Sequence, residues 1–343
     1  MMRTLPNPAL VRSGRHRDTV RLQRTAVERI LSGADDRLLV IAGPCSAHDS
    51  GSMLDYVAGL TEIAARHDDD LYVVARVYVE KPRTRLGWPG LLLDPFLDGG
   101  NRVDEGIATA RALLEAVADR GMPIAGEFVE PLLADYLADL ICWGAIGART
   151  VESPPHRRLA SALPMPIGFK NRGDGAVAPA VDAMAAAAVP QPVFTIGDDG
   201  TPQWGISAGN LTTHLVLRGG ESGPNHHESH VEKALDLLRP GQTHPTLIVD
   251  CSHGNSGKDH RNQPRVARDL ADQISAGQTG IAGVMVESFI HEGCQPHSPA
   301  PRRGVSITDA CLSLEQTEPV LAELAAAVRQ RRRVVETSLV EAT

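Results

Sequence analysis

Aromatic side chains are scarce in this chain: Phe, Trp and Tyr make up 3% of its 343 residues. A surface that binds single strands by stacking bases on rings has little to work with here. Basic residues are not in excess either. Lys and Arg number 34 against 42 Asp and Glu, a formal net charge of −8. No nucleic-acid partner is therefore expected. No apolar run approaches the ~20 residues that cross a bilayer, so no membrane partner is expected. The cysteines, Cys45, Cys142, Cys251, Cys294 and Cys311, are odd in number and never spaced Cys-X-X-Cys. That pattern argues against a disulfide framework and a zinc ribbon. It fits a reducing cytoplasm. The opening segment MMRTLPNPALVRSGRHRDTV is Arg-rich with no acid before Asp18. Transit peptides share those traits, but a plain N-terminal arm is the simpler expectation.

With so few rings, a core must be built from Val, Leu, Ile and Ala, and 42% of the chain is apolar. Eight apolar, strand-like runs recur, and each ends in a residue that can bind an anion or a metal. They are LLVIAGPC (Cys45), LYVVARVYVEK (Arg76, Lys81), MPIAGEF (Glu127), AIGART (Arg149), MPIGFK (Lys170), HLVLRGG (Arg218), TLIVDCSH (His253) and AGVMVES (Glu287). Helix-like connectors are expected at 51–66, 103–119, 131–140, 175–187, 228–238, 264–276 and 314–331. Alternation of this kind predicts a (β/α)8 TIM barrel, which gathers all its strand C-termini on one face.

Residues 1–33 read as an N-terminal arm and helix, with Gly33 as the helix stop. Residues 34–333 read as the catalytic barrel, and 334–343 as a frayed tail. Between the fifth and sixth barrel strands, PQPVFTIGDDGTPQWGISAGN carries an Asp-Asp-Gly turn between two β-prone runs. It predicts a β-hairpin at about 191–207, inserted outside the barrel.

Cys45, His253, Glu287 and Asp309 form a candidate metal set. Singly, each has a plainer role: a buried thiol as a small core residue, the others as caps or ion-pair partners. Jointly, at the mouth of a barrel, one thiolate, one imidazole and two carboxylates suit one divalent ion with an open position, manganese, iron or cobalt. Cys311 reads as a packing residue.

Six cations, Arg76, Lys81, Arg83, Arg149, Lys170 and Arg218, lie at or just after strand ends in an otherwise acidic chain. Structural salt bridges are the plainer explanation. Burial at strand ends, however, demands partners, and the nearby acids are too few. A small substrate bearing phosphate or carboxylate supplies them. Thr84 adds a hydroxyl in the same loop as Arg83, and Glu127 can orient a cation or hold a water.

The ordered motifs GPCSAHD (43–49), RVYVEKPRTRLGWPGLLLDP (76–95), GEF (126–128), WGAIGART (143–150), GFKNRGDG (168–175), HLVLRGG (214–220), DCSHGNSGKDHRNQP (250–264), VMVES (284–288) and GVSITDAC (304–311) run through most of the chain. Together they resemble the 3-deoxy-D-arabino-heptulosonate 7-phosphate (DAHP) synthases of the short microbial type, class I. The resemblance implies a metal-dependent transferase of the shikimate pathway of aromatic amino acid biosynthesis. It would condense phosphoenolpyruvate with erythrose 4-phosphate and work as a cytoplasmic homodimer or homotetramer. It places the metal on Cys45, His253, Glu287 and Asp309. Phosphoenolpyruvate falls on Arg76, Lys81, Glu127, Arg149, Lys170 and Arg218, and erythrose 4-phosphate on Arg83 and Thr84. Lys170, His253, Cys45 and Lys81 are the candidate catalytic residues, with Lys170 a proton donor or charge stabiliser.

The chain departs from the family pattern at Glu152-Ser153-Pro154-Pro155, Pro164, Pro131 and Asp135, around the region resembling an aromatic amino-acid effector pocket. Weak or altered feedback inhibition by phenylalanine or tyrosine is expected. Three other readings stay open at this point. One is a Schiff-base aldolase using Lys170. Another is a related synthase taking a different aldose phosphate or an amino analogue. The last is a non-catalytic regulatory partner, which the intact ligand set disfavours.

Overall fold

The computed structural model describes residues 4–241 and 244–341. Its chain order begins with a short helix α1 (Pro8–Val11) and α2 (Arg17–Leu31). There follow β1 (Leu38–Gly43), α3 (Ser50–Ala64), β2 (Leu71–Arg76), α4 (Val103–Ala118), β3 (Ile124–Glu127), β4 (Trp143–Ile146), α5 (Pro154–Ala162), β5 (Ile167–Lys170) and α6 (Ala178–Ala187). The remainder is β6 (Pro192–Ile196), β7 (Pro202–Ile206), β8 (His214–Leu217), α7 (Glu228–Leu238), β9 (Leu247–Asp250), α8 (Gln263–Ser275), β10 (Ile281–Phe289), β11 (Leu312–Ser313) and α9 (Leu314–Glu341).

Eight parallel strands pair in the order β1-β2-β3-β4-β5-β8-β9-β10, and β10 returns to β1 to close the ring. This is the expected (β/α)8 barrel. The period-2 alternation of strands divides the apolar residues into two sets. Leu39, Ile41, Val74, Trp143, Val216, Ile248 and Met285 fill the interior. Leu38, Val40, Ala42, Val73 and Leu215 face the surrounding helices. In the interior Trp143 Nε1 donates to His214 Nε2 at 2.9 Å, and burial pushes that imidazole down to about 4. The neutral ring is thus a fixed acceptor. Helix α2 belongs to the interior set through Val27, Ile30 and Leu31, and Thr246 Oγ1 donates to Leu31 O. It closes the end of the barrel where the strands begin. Gly33 ends that helix at φ +74°.

The hairpin β6–β7 pairs antiparallel between β5 and β8 in sequence and takes no part in the barrel sheet. Three local expectations are corrected. Residues 131–140 form two 3-10 turns, Pro131–Tyr136 and Ala138–Leu140, rather than an α-helix. Arg111 Nη1 takes the Tyr136 carbonyl, and Arg24 Nη2 shares the Ala138 carbonyl with Ile141 N, the i,i+3 bond that closes the second turn. Helix α5 was not anticipated; Pro154 and Pro155 occupy its first turn, where a missing N–H costs nothing. The expected tail after Arg333 instead continues α9 to Glu341.

Candidate active site

The site is built at the C-terminal ends of the strands. Glu287 lies within β10, Glu127 ends β3 and Lys170 ends β5. Cys45, Arg149, Arg218 and His253 follow β1, β4, β8 and β9 by a few residues. Lys81 is not at a strand end as expected. β2 stops at Arg76, and the chain leaves the sheet with Lys81 N bonded to Pro89 O.

Cys45 Sγ and carboxylate oxygens of Glu287 and Asp309 lie within 4.8 Å of one another. His253 stands at the edge of this group, its Nε2 3.8 Å from Glu287 Oε1. Lys81 Nζ donates to Cys45 Sγ at 2.6 Å and pairs with Asp309 at 3.6 Å. Burial pushes the Cys45 thiol up to about 12, with the Glu287 carboxylate adding to it. Burial also works to lower the Lys81 pKa, but Cys45, Asp309 and Glu287 more than offset it, so the ammonium stays charged. Asp309 is likewise held below the usual carboxylate range: its burial opposes this, and Lys81 and His253 overcome it. Arg76 is buried against the Tyr78 ring, donates to Pro44 O and pairs with Glu287 at 3.1 Å.

Asp250 is a residue that sequence reasoning missed. It is fully buried and meets both Lys170 Nζ at 3.1 Å and His253 Nδ1 at 3.0 Å. Despite its burial, His253 and Lys170 keep it well below the usual range. It thereby fixes the face that His253 presents to the cluster, as carboxylates behind ligating imidazoles do. The i,i+3 spacing Asp-Cys-Ser-His was a usable signal, but an Asp ending a strand also reads as a turn residue. His253 itself has φ +54°, a costly conformation outside glycine.

Next to the cluster opens a cavity of about 1010 Å3. All eight predicted substrate residues line it: Arg76, Lys81, Arg83, Thr84, Glu127, Arg149, Lys170 and Arg218. Lys258, Arg265 and Arg85 add cations that sequence reasoning did not single out. The walls are fixed by polar clamps. Arg149 Nε donates to Thr84 Oγ1 at 2.7 Å. Asn171 Oδ1 accepts from Arg218 N, and Asn225 Oδ1 accepts from Gly219 N, each at 2.7 Å. Gly147 leaves room for Glu127, whose Oε1 would lie 2.4 Å from a Cβ at that position. Glu80, also missed, is buried and accepts from Val129 N and Glu130 N. Burial pushes its carboxyl up to about 8.

With this geometry in view, comparison with known proteins is decisive. The sequence profile described as the DAHP synthetase I family matches residues 18–322. The chain belongs to that family. It is 47% identical over 322 residues to a phospho-2-dehydro-3-deoxyheptonate aldolase of Corynebacterium glutamicum, covering 91% of this chain and 87% of that one. It is 46% identical over 305 residues to the Tyr-sensitive phospho-2-dehydro-3-deoxyheptonate aldolase of Escherichia coli, covering 88% of this chain and 85% of that one. The solved structure of a phospho-2-dehydro-3-deoxyheptonate aldolase from Francisella tularensis matches with a TM-score of 0.93 at 39% identity, covering 96% of this chain and 98% of that one.

Within this member of the DAHP synthetase I family, a second cavity of about 1030 Å3 lies beside the hairpin. Pro131, Asp135, Pro155 and Pro164 all line it, with Arg12 from the N-terminal arm and Phe194 from β6. Thr195 Oγ1 donates to Asp135, and Arg12 pairs with Asp198.

Proposed function

We propose that this chain is a DAHP synthase, joining phosphoenolpyruvate to erythrose 4-phosphate and releasing phosphate at the entry to the shikimate pathway. The observation that carries this reading is one cavity in whose lining nine Lys and Arg residues outnumber three acids, placed beside a thiol, an imidazole and two carboxylates.

The donor set fits a divalent ion such as manganese, iron or cobalt. Among the described residues Glu287 Oε1 is buried, makes no hydrogen bond, and is balanced only by the Arg76 guanidinium at 3.1 Å and the His253 ring at 3.8 Å, which leaves a carboxylate lone pair free for an ion. Cys45, His253, Glu287 and Asp309 would hold the ion, which would polarise the aldehyde carbonyl of the sugar phosphate.

The protein's own groups supply position and charge. Arg149, Lys170 and Arg218 receive the phosphate and carboxylate of phosphoenolpyruvate, with Arg76, Lys81 and Glu127 behind them. Arg83 and Thr84 receive the phosphate of the aldose. Holding two anions in register accounts for much of the advantage in such a bimolecular step. The methylene carbon of phosphoenolpyruvate forms a bond to the aldehyde carbon, whose oxygen takes up a proton. Water adds to the cationic carbon left behind, and the resulting hemiketal phosphate loses inorganic phosphate by C–O cleavage. Lys170, with its ammonium anchored on Asp250, is placed to donate a proton or to stabilise charge. That ion pair disfavours a Schiff-base role, which requires a free amine.

The enzyme is read as a cytoplasmic homodimer or homotetramer. Phe194, Trp204 and Ile206 share one exposed face of the hairpin, as an interface between copies requires. Feedback by phenylalanine or tyrosine is read as weak or altered, because Asp135 brings a carboxylate to the second cavity.

The test is phosphoenolpyruvate consumption by purified protein with erythrose 4-phosphate, with and without a chelator. Metal-dependent consumption with stoichiometric phosphate release is expected. No consumption despite added manganese or cobalt would overturn the assignment, and turnover only with an amino analogue would redirect it.

A further inference from the structure

Away from the substrate cavity, two consecutive histidines and an aspartate converge on the outer side of the barrel. His226 and His227 precede α7, and Asp269 lies on α8. None of the three lines the substrate cavity. His226 Nε2 is 3.1 Å from Asp269 Oδ2, and His227 Nδ1 is 3.8 Å from the same oxygen. The two imidazole rings are 4.1 Å apart, and one donor atom from each of the three residues falls within 4.8 Å of the others.

We propose that His226, His227 and Asp269 form a second, structural site for a divalent transition ion, zinc by preference, which braces the β8–α7 loop against α8.

The distances carry the argument. Ligand atoms about 2.1 Å from a tetrahedral zinc stand about 3.4 Å from one another. The separations of 3.1 and 3.8 Å bracket that value, so an ion fits with small side-chain adjustments. A His226–Asp269 hydrogen bond alone explains the shorter contact. It leaves unexplained why a second imidazole is gathered on the same carboxylate oxygen. Among the described residues, Asp269 has no ion-pair contact other than these two rings. His226 is buried. His227 and Asp269 are partly exposed, leaving an entry path and an open position. Two imidazoles and one carboxylate suit zinc, nickel or copper better than the hard ions.

The position gives the ion a task. Gln273 Nε2 on α8 donates to His226 O. Asn225, the preceding residue, accepts from Gly219 N and donates to Asn171 and Asn255. An ion at this site would tie α8 to the loop that fixes the backbone after Arg218.

The experiment strips the full-length protein with a chelator, dialyses it against micromolar zinc and counts metal per chain. Wild type is expected to hold two, one on Cys45 and its partners and one here. His227→Ala and Asp269→Asn should each hold one, and both should keep manganese-supported phosphoenolpyruvate turnover. Cys45→Ser should hold one, and Cys45→Ser with His227→Ala none. Zinc should raise the Tm of Cys45→Ser and leave that of the double variant unmoved. One zinc in wild type with none in Cys45→Ser would overturn the proposal. So would undiminished stoichiometry in His227→Ala, a comparison that stands even if Cys45→Ser fails to fold. Because counting zinc requires no substrate, failure here is distinguishable from failure of the synthase assignment.

Discussion

Lys170 Nζ sits 3.1 Å from Asp250 Oδ2, with Asp250 fully buried and Lys170 nearly so. The same oxygen lies 3.0 Å from His253 Nδ1. One buried carboxylate therefore sets together the ammonium that lines the cavity and the imidazole beside the Cys45–Glu287–Asp309 cluster.

Asp250→Asn keeps the shape and removes the charge. It should leave Lys170 without its counter-ion and loosen the orientation of His253. Metal affinity and turnover are both expected to fall, each by about 10- to 100-fold. Parallel metal titrations and initial rates would show this. A variant losing turnover with unchanged metal affinity would mean that Asp250 serves Lys170 alone.

Removal of the metal ligand set should be less forgiving. Cys45→Ser replaces a thiolate donor with a weakly acidic hydroxyl, while Lys81 loses its partner at 2.6 Å. Turnover is expected to vanish, and added manganese or cobalt should not restore it. By contrast, wild type treated with a chelator should recover fully on metal addition.

Gly147→Ala tests the placement of Glu127 without touching either substrate. The new methyl would meet Glu127 Oε1 at 2.4 Å, and the end of a flexible side chain is what must move. Stability should change little, whereas kcat/KM for phosphoenolpyruvate should fall by up to about a hundredfold, the scale set by a 1 Å misplacement. A large drop in Tm would show instead that the backbone had given way.

Arg149→Lys exchanges a planar fork, seated on Thr84 Oγ1, for a point charge. Losing one charge-assisted hydrogen bond costs about 1.5–3 kcal/mol, roughly 10- to 100-fold in kcat/KM. Steady-state kinetics with each substrate varied would locate the loss.

Glu80 makes a pH prediction of definite sign. Burial raises its carboxyl from a usual value of 4.5 to about 8 in the folded chain. The unfolded chain therefore releases this proton at lower pH than the folded one. The stability is fully present below about 4.5 and is lost progressively as pH rises through about 8. Gln does not titrate, so the Tm of wild type should fall more steeply than that of Glu80→Gln between pH ~6 and ~9. Parallel slopes would refute the raised value.

Much of the barrel was legible because apolar runs and the residues ending them repeat with a fixed rhythm. Arg149 and Arg218 stand out since a cation after an apolar run needs a reason. What was hidden obeys different rules. Asp250, Asn171 and Asn225 work through buried hydrogen bonds to groups far away in sequence, and as residue types they resemble turn formers. Helix α5 begins with two prolines, which on a sequence look like a break. The 131–140 segment has helical composition, but Arg111 and Arg24, distant in sequence, bond its Tyr136 and Ala138 carbonyls, tertiary contacts that no local pattern displays.

The closing seam of the barrel has a temporal meaning as well. Gly43, two residues before Cys45, is in register with Glu287 across the β1–β10 pairing. The first and last barrel strands must meet before thiol and carboxylate become neighbours. A nascent chain still lacking β10 holds only a fragment of the ligand set, so it has no completed pocket in which to trap an ion. With the ligands proposed above, metal uptake at this centre would report that the ring has closed.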